Sequence, residues 1–328
     1  MKKNIFITIF LSIFFLTSCE TIDFIRPSSD IIKTSPDSLR LTNSGPVIGI
    51  EGEEGIHIWF GVPYAEAPVD KLRWKAPRNV SSWDKVFEAT KFSNPCIQIQ
   101  SSLTGDGLAK PGDIVGNEDC LYLNIYAPAY NVNSVPREKN KLPVMVWIHG
   151  GGNTSGMTSE YNPEKFVASQ NIILVTISYR LGLFGWFSHP ELRNKSDGID
   201  ASANFGLLDQ IKALEWLRDS IENFGGDRNN ITIFGESAGG QNVIALYVSP
   251  LAKGLFHRAI SQSGGITLTS IEDAEEIDRK IHPLNKDYKY RHKTTKELVN
   301  SLLNEGIINT HFNETDNVEE LMNLESHD

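Results

Sequence analysis

An α/β fold, with a mostly parallel central sheet covered by helices on both faces, is what this sequence of 328 residues predicts. Three observations carry that expectation. Short β-rich runs alternate with helical stretches through the middle of the chain. One run, at 144–148, is short and continuously apolar, the pattern of a strand buried on both faces. Another, at 231–234, leads through a Gly-x-Ser-x-Gly turn straight into a helix.

Taken in chain order, residues 46–62 and 121–127 read as β-rich segments, followed by strands at 144–148 and 172–178. A helix is expected over 205–222, then the strand at 231–234, a helix over 239–247 and a last strand at 259–262. Residues 46–265 read as one domain. Beyond it, 266–328 is charge-dense, with short amphipathic helices expected at 271–281, 295–303 and 318–324. We read it as a helical segment of the same, truncated domain. Its histidines, His282, His292, His311 and His327, read as surface residues.

The N-terminus reads as a targeting segment. Lys2 and Lys3 precede an apolar run over 5–16 that is too short to span a bilayer comfortably. The sequence Leu16-Thr-Ser-Cys19 resembles a bacterial lipoprotein cleavage box, which implies a signal peptide over 1–18 and a lipid on Cys19. An ordinary signal peptide or anchor that contains a cysteine is the alternative. Residues 19–45, rich in Ser, Thr, Pro and Asp, read as a tether. The expected location is therefore the bacterial cell envelope, with the protein held at a membrane through Cys19. The formal charge is −10, from 31 basic and 41 acidic residues, with no basic patch, which argues against a nucleic-acid partner. Neither zinc-type Cys/His spacing nor a phosphate-binding loop occurs, so neither metal nor organic cofactor is expected.

The chemistry-bearing stretch is Ile231-Thr-Ile-Phe-Gly-Glu-Ser-Ala-Gly-Gly240. Between a strand and a helix, Gly235, Ser237 and Gly239 make a sharp turn that holds the serine hydroxyl above the sheet. The turn crowds its own backbone, so the positions two before and two after the serine must be small. A glycine-rich turn with an incidental serine is the competing reading. Upstream, the strand at 144–148 ends in His149-Gly150-Gly151-Gly152. Alone, such a loop could hold phosphate or simply turn the chain. Paired with a serine elbow, its N–H groups become donors to an oxyanion, each typically worth ~3–4 kcal/mol in the transition state. Glu236, adjacent to the serine on a sharp turn, points elsewhere and is not read as the acid of a triad.

These blocks, with Phe60-Gly-Val-Pro-Tyr-Ala-Glu-Ala-Pro68, Leu72-Arg-Trp74 and Glu118-Asp-Cys-Leu-Tyr-Leu-Asn124, resemble the type-B carboxylesterase and cholinesterase family of α/β-hydrolases. Tyr179-Arg180, Asn204-Phe-Gly-Leu-Leu-Asp-Gln210, Phe224-Gly-Gly-Asp227, Ser249-Pro-Leu-Ala-Lys-Gly-Leu-Phe256 and Gln262-Ser-Gly264 continue the resemblance in the same order. It covers residues from about 46 to 265. The resemblance implies Ser237 as nucleophile and Gly151, Gly152 and Ala238 as the oxyanion hole. It implies structural ion pairs Arg73 with Glu118 and Arg180 with Asp209, and a disulfide between Cys96 and Cys120. Two free buried thiols are the alternative there.

The resemblance implies a carboxylic ester hydrolase working through an acyl-enzyme on a small-molecule ester, and the N-terminal segment adds the membrane tether. An amidase or peptidase using the same serine is a rival, and a non-catalytic cholinesterase-like binding or adhesion lipoprotein is the alternative from another class. Family members place the triad acid well over a hundred residues after the serine, and the histidine later. Here 328 − 237 leaves 91 residues, so the sequence reads as an N-terminal part lacking both, with little activity expected. A recruited triad using His282 or His292 is the other route to activity. Substrate identity and oligomeric state are not legible.

Overall fold

The computed structural model describes residues 33–101, 109–265 and 268–275. The expected signal peptide, Cys19 and most of the expected tail helices lie outside the described residues.

Seven strands form the central sheet: β1 (Ile50–Glu51), β2 (Ile56–Pro63), β3 (Tyr122–Pro128), β4 (Leu142–Ile148), β5 (Ile173–Ile177), β6 (Gly226–Glu236) and β7 (Arg258–Gln262). Their order across the sheet is β7-β6-β4-β5-β3-β2-β1. The four strands β7, β6, β4 and β5 are mutually parallel. The pairings β5 with β3, β3 with β2 and β2 with β1 are antiparallel. Five strands thus run one way and two against. The sheet is mixed, and its parallel block is the half that carries the elbow. The physical reason lies in the connections: among the described residues the N-terminal strands follow one another without crossover α-helices, whereas α1 (Glu164–Gln170), α2 (Phe205–Ser220) and α3 (Ala238–Val248) link the parallel ones.

Side-chain alternation along β5 separates two cores. Ile173, Val175 and Ile177 join a large cluster with Leu208, Ile211, Leu214 and Leu217 of α2 and Val243 and Leu246 of α3. The intervening Leu174 faces a second cluster with Val167 of α1, Ile58, Tyr126 and Phe234. In α2 the buried apolar residues recur every three positions, which aims one stripe at the sheet. Helices therefore cover both faces.

The tether reading fails at its C-terminal end. Residues 33–45 are packed on the domain: Arg40–Leu41 pairs with Pro46–Ile48, and Ser35 N–H bonds the Gly49 carbonyl at 2.9 Å. Arg40 is buried, donates to the carbonyls of Asp37, Leu39 and Tyr130 at 2.8–3.0 Å, and lies 5.3 Å from the Trp59 ring centroid. Its attachment is polar, so a reading based on apolar pattern passes over it.

Connection directions place the site. β4 is followed by α1 and β5 on one side, and β6 by α3 and β7 on the other. Neighbouring parallel strands whose connections leave in opposite directions open a crevice at their C-terminal ends. There stand the chain after Ile148 and the chain after Glu236.

Candidate active site

Ser237 sits at the tip of that crevice, between the end of β6 and the first residue of α3. Its backbone is at φ 54°, ψ −118°, a conformation that L-residues avoid and that a fold must enforce from outside. Enforcement is visible on both sides. Ser237 N–H donates to the Gln262 carbonyl of β7 at 2.9 Å, and its own carbonyl accepts the Gln241 N–H at 3.0 Å. A Cβ on Gly235 would lie 2.6 Å from the Gly239 carbonyl carbon, and one on Gly239 would collide with the carbonyl oxygens of Ile148 and His149. Both glycines are therefore sterically required. The serine itself is exposed.

The loop after β4 lies against it. A Cβ built on Gly150 would come 3.4 Å from the Ser237 Cβ. Gly151 and Gly152 take φ +89° and +65°, the left-handed region that favours glycine. The Gly151 carbonyl accepts the N–H groups of Thr154 and Ser155 at 3.1 and 3.0 Å, and both their hydroxyls at 3.2 Å. Across a trans peptide the following N–H points the opposite way, so the Gly152 N–H is turned out of this knot. Among the described residues, no group accepts a hydrogen bond from the N–H of Gly151, Gly152 or Ala238. Ala238 is the first residue of α3, where an N–H has no intrahelical partner and the helix dipole is positive.

Three groups outside the loop hold it. Tyr179 donates its hydroxyl to the His149 carbonyl at 2.7 Å and stacks on the His149 ring, with centroids 4.3 Å apart. Asn242 of α3 donates to the Asn153 side-chain carbonyl at 2.8 Å. Gln98 meets Gly156 through both ends of its amide. The His149 ring donates from Nδ1 to the Gly150 carbonyl at 3.0 Å. Burial disfavours its charged form and lowers its pKa to about 4, offset in part by that bond.

Around this centre lie the two buried ion pairs. Asp209 of α2 accepts the Arg180 backbone N–H, Nε and Nη2 at 3.0, 2.8 and 2.7 Å. Glu118 accepts Arg73 Nε and Nη2 at 2.6 and 2.5 Å, and its pKa is raised because burial outweighs the arginine. Cys96 and Cys120 are joined in a disulfide. None of these touches Ser237. The described histidines His57, His149, His189 and His257 make no hydrogen bond to the Ser237 hydroxyl either. The four tail histidines lie outside the described residues. Among the described residues, no group of His, Cys, Asp or Glu is arranged to hold a metal ion.

A family profile described as Carboxylesterase family matches residues 36–317. The chain belongs to the carboxylesterase family. Para-nitrobenzyl esterase of Bacillus subtilis is 43% identical over 235 residues, covering 71% of this chain and 45% of that protein. The medium-chain fatty acyl-CoA hydrolase precursor of Anas platyrhynchos is 40% identical over 252 residues, covering 74% of this chain and 43% of its own length. A solved PNB esterase superposes with a TM-score of 0.64 at 41% identity, over 73% of this chain and 46% of that one. Carboxylesterase EST55 of Geobacillus stearothermophilus does so at 0.62 and 35% identity, over 82% and 53%. The fold is that of the α/β-hydrolases. The chain spans under half the length of these curated relatives.

Within this carboxylesterase domain the sequence singled out the elbow and the glycine loop, and the structure brings them together. It gave no signal for Gln98, Asn153 or Asn242 as loop supports. Their contacts join residues 58 to 89 positions apart, and nothing in local periodicity marks such pairs.

Proposed function

We propose that this chain carries the nucleophile and oxyanion hole of a serine carboxylic ester hydrolase. Ser237 Oγ attacks the ester carbonyl, and the N–H groups of Gly151, Gly152 and Ala238 hold the oxyanion of the tetrahedral intermediate. The alcohol leaves, the acyl group remains on Ser237, and water releases it. One observation carries this reading: an exposed serine held at φ 54° between a parallel strand and a helix, beside backbone donors that have no partner among the described residues. Attack needs a base for the Ser237 proton. His149 is unsuited, since its Nδ1 proton is tied to the Gly150 carbonyl and burial has cut its basicity. The base and its carboxylate partner are assigned to groups outside the described residues.

The relatives' names include an esterase for a nitrobenzyl group, a cocaine esterase and a fatty acyl-CoA hydrolase. They support acyl-oxygen or acyl-sulfur cleavage as the reaction class and leave the acyl group open. We also assign the protein to the cell envelope, anchored through a lipid on Cys19. The Lys2-Lys3 start, the apolar run and the Cys96–Cys120 disulfide, which fits an oxidising compartment, support this. Labelled palmitate entering the wild type but not Cys19→Ala would support the anchor, and equal labelling would refute it.

The test of the main reading is acyl capture from p-nitrophenyl acetate, read by mass on the peptide containing Ser237. The chain should acylate at Ser237 and lose that label in Ser237→Ala. Equal labelling of Ser237→Ala would show that another group is the nucleophile. Fast turnover that Ser237→Ala abolishes would instead place a working base within these 328 residues.

A further inference from the structure

Gln98 stands two residues after Cys96 and is 5% exposed. Its amide is spent wholly on backbone. Nε2 donates to the Cys96 carbonyl at 3.1 Å and to the Gly156 carbonyl at 3.0 Å, while Oε1 accepts the Gly156 N–H at 2.8 Å. A side chain that both donates to and accepts from one residue imitates a strand partner, here across 58 positions. Gly156 is the closing end of the loop that begins at His149. It adopts φ +118°, and a Cβ there would be driven into the His149 ring. Fixing Gly156 therefore fixes where the loop shuts, while Tyr179 fixes where it opens and Asn242 holds Asn153 between them.

Gln98 is itself anchored. Gln98–Ile99 pairs antiparallel with Ile114–Val115, Cys96 forms a bridge with Asn117, and the disulfide closes the base of this excursion. We propose that Gln98 is a positioning residue for the oxyanion loop, transmitting the rigidity of the cross-linked segment to Gly151 and Gly152 without touching substrate. The inference rests on the reading of those two glycines as oxyanion donors. The chemistry of the clasp is specific. It needs an acceptor and a donor on the two branches of one planar group. A carboxylate lacks the donor and would face the Gly156 carbonyl with negative charge, whereas a protonated carboxyl restores both roles.

That difference supplies the experiment, on the full chain. Two quantities are read for wild type, Gln98→Glu and Gln98→Met: amide exchange in the peptide spanning 149–157, and the rate of acyl capture on Ser237 from p-nitrophenyl acetate. At about pH 8, Gln98→Glu should exchange faster in that peptide and label more slowly, each by about tenfold relative to wild type. Burial raises a carboxyl pKa, so lowering the pH toward about 5 should bring both ratios back to within about twofold of wild type. Gln98→Met should show the defect at every pH, with no recovery. A defect that follows the protonation state of position 98 is not the signature of general unfolding. If Gln98→Glu fails to fold at the higher pH, Gln98→Met decides: faster exchange confined to 149–157 supports the clasp. Wild-type exchange in that peptide overturns it, as does a pH-independent defect in Gln98→Glu. Ser237→Ala, run alongside, separates the two readings. If it labels like the wild type, the nucleophile assignment falls, and the exchange data still decide the clasp.

Discussion

Replacing Asp209 with alanine removes the acceptor of three hydrogen bonds from a single residue, Arg180, whose side chain is 3% exposed opposite an aspartate side chain at 0%. The guanidinium cannot turn to water. It lies over the Phe205 ring at 5.3 Å, and its Nη1 already lacks a hydrogen-bond partner. Each hydrogen bond to a charged group is worth ~1.5–3 kcal/mol net, but their sum overstates the effect because both ions were desolvated to make the pair. Removing one partner of such a buried pair typically costs ~3–5 kcal/mol, and the packing here puts Asp209→Ala near ~4 kcal/mol. Scaled from domains of ~150–250 residues, that corresponds to a fall of about 8–15 °C in Tm, readable by calorimetry or circular dichroism. The double substitution Arg180→Met with Asp209→Leu, which removes both charges and keeps the volume, should regain all but ~1–2 kcal/mol. A loss below ~1 kcal/mol in Asp209→Ala, or a double variant worse than the single one, would refute the argument that an unpaired buried arginine sets the penalty.

Two further outcomes are expected. In Gly239→Ala the new methyl would meet the Ile148 and His149 carbonyls, forcing β4 and α3 apart. It should destabilise by ~1–3 kcal/mol and abolish acyl capture on Ser237, while an unchanged capture rate would contradict the steric account of the elbow. His149 has a folded pKa depressed by burial from 6.5 to about 4, so the unfolded chain takes up its proton first. Its contribution to stability is full above pH 6.5 and is lost as pH falls toward about 4, by ~3 kcal/mol at ~1.4 kcal/mol per unit. His149→Phe, which keeps the stack on Tyr179, should flatten denaturation midpoints across that window, and an unaltered slope would show that other groups carry the acid sensitivity.

Much of the domain is legible in local sequence. The strand at 144–148 falls within Leu142–Ile148, the helix at 205–222 within Phe205–Ser220 and the short helix continuing to Phe224, and the helix at 239–247 within Ala238–Val248. Each of these signals is local, an apolar run or a stripe three or four residues apart. Two features escaped such reading. The antiparallel half of the sheet depends on which strand lies beside which, and strand pattern does not encode neighbours. The packing of 33–45 depends on Arg40 and on the Ser38 carbonyl, which receives the Trp59 ring N–H at 2.8 Å. Composition there is polar, and only contact with Tyr130 and Trp59 makes it structure.

The same division runs through the site. The elbow at Ser237 was determined by sequence because its constraint is local: a turn this sharp admits only small residues at 235 and 239, and both are glycine. The glycine run after 148 was legible for the same reason. That the two stand together was decided by tertiary structure, through the reversal of connection direction between β4 and β6. So was the geometry of the glycine loop after Ile148, because Tyr179, Asn242 and Gln98 reach it from three separate parts of the chain. Hydrogen bonds between such distant residues form only once folding has met the entropy of closing the loops between them, and no stretch of sequence displays that in advance.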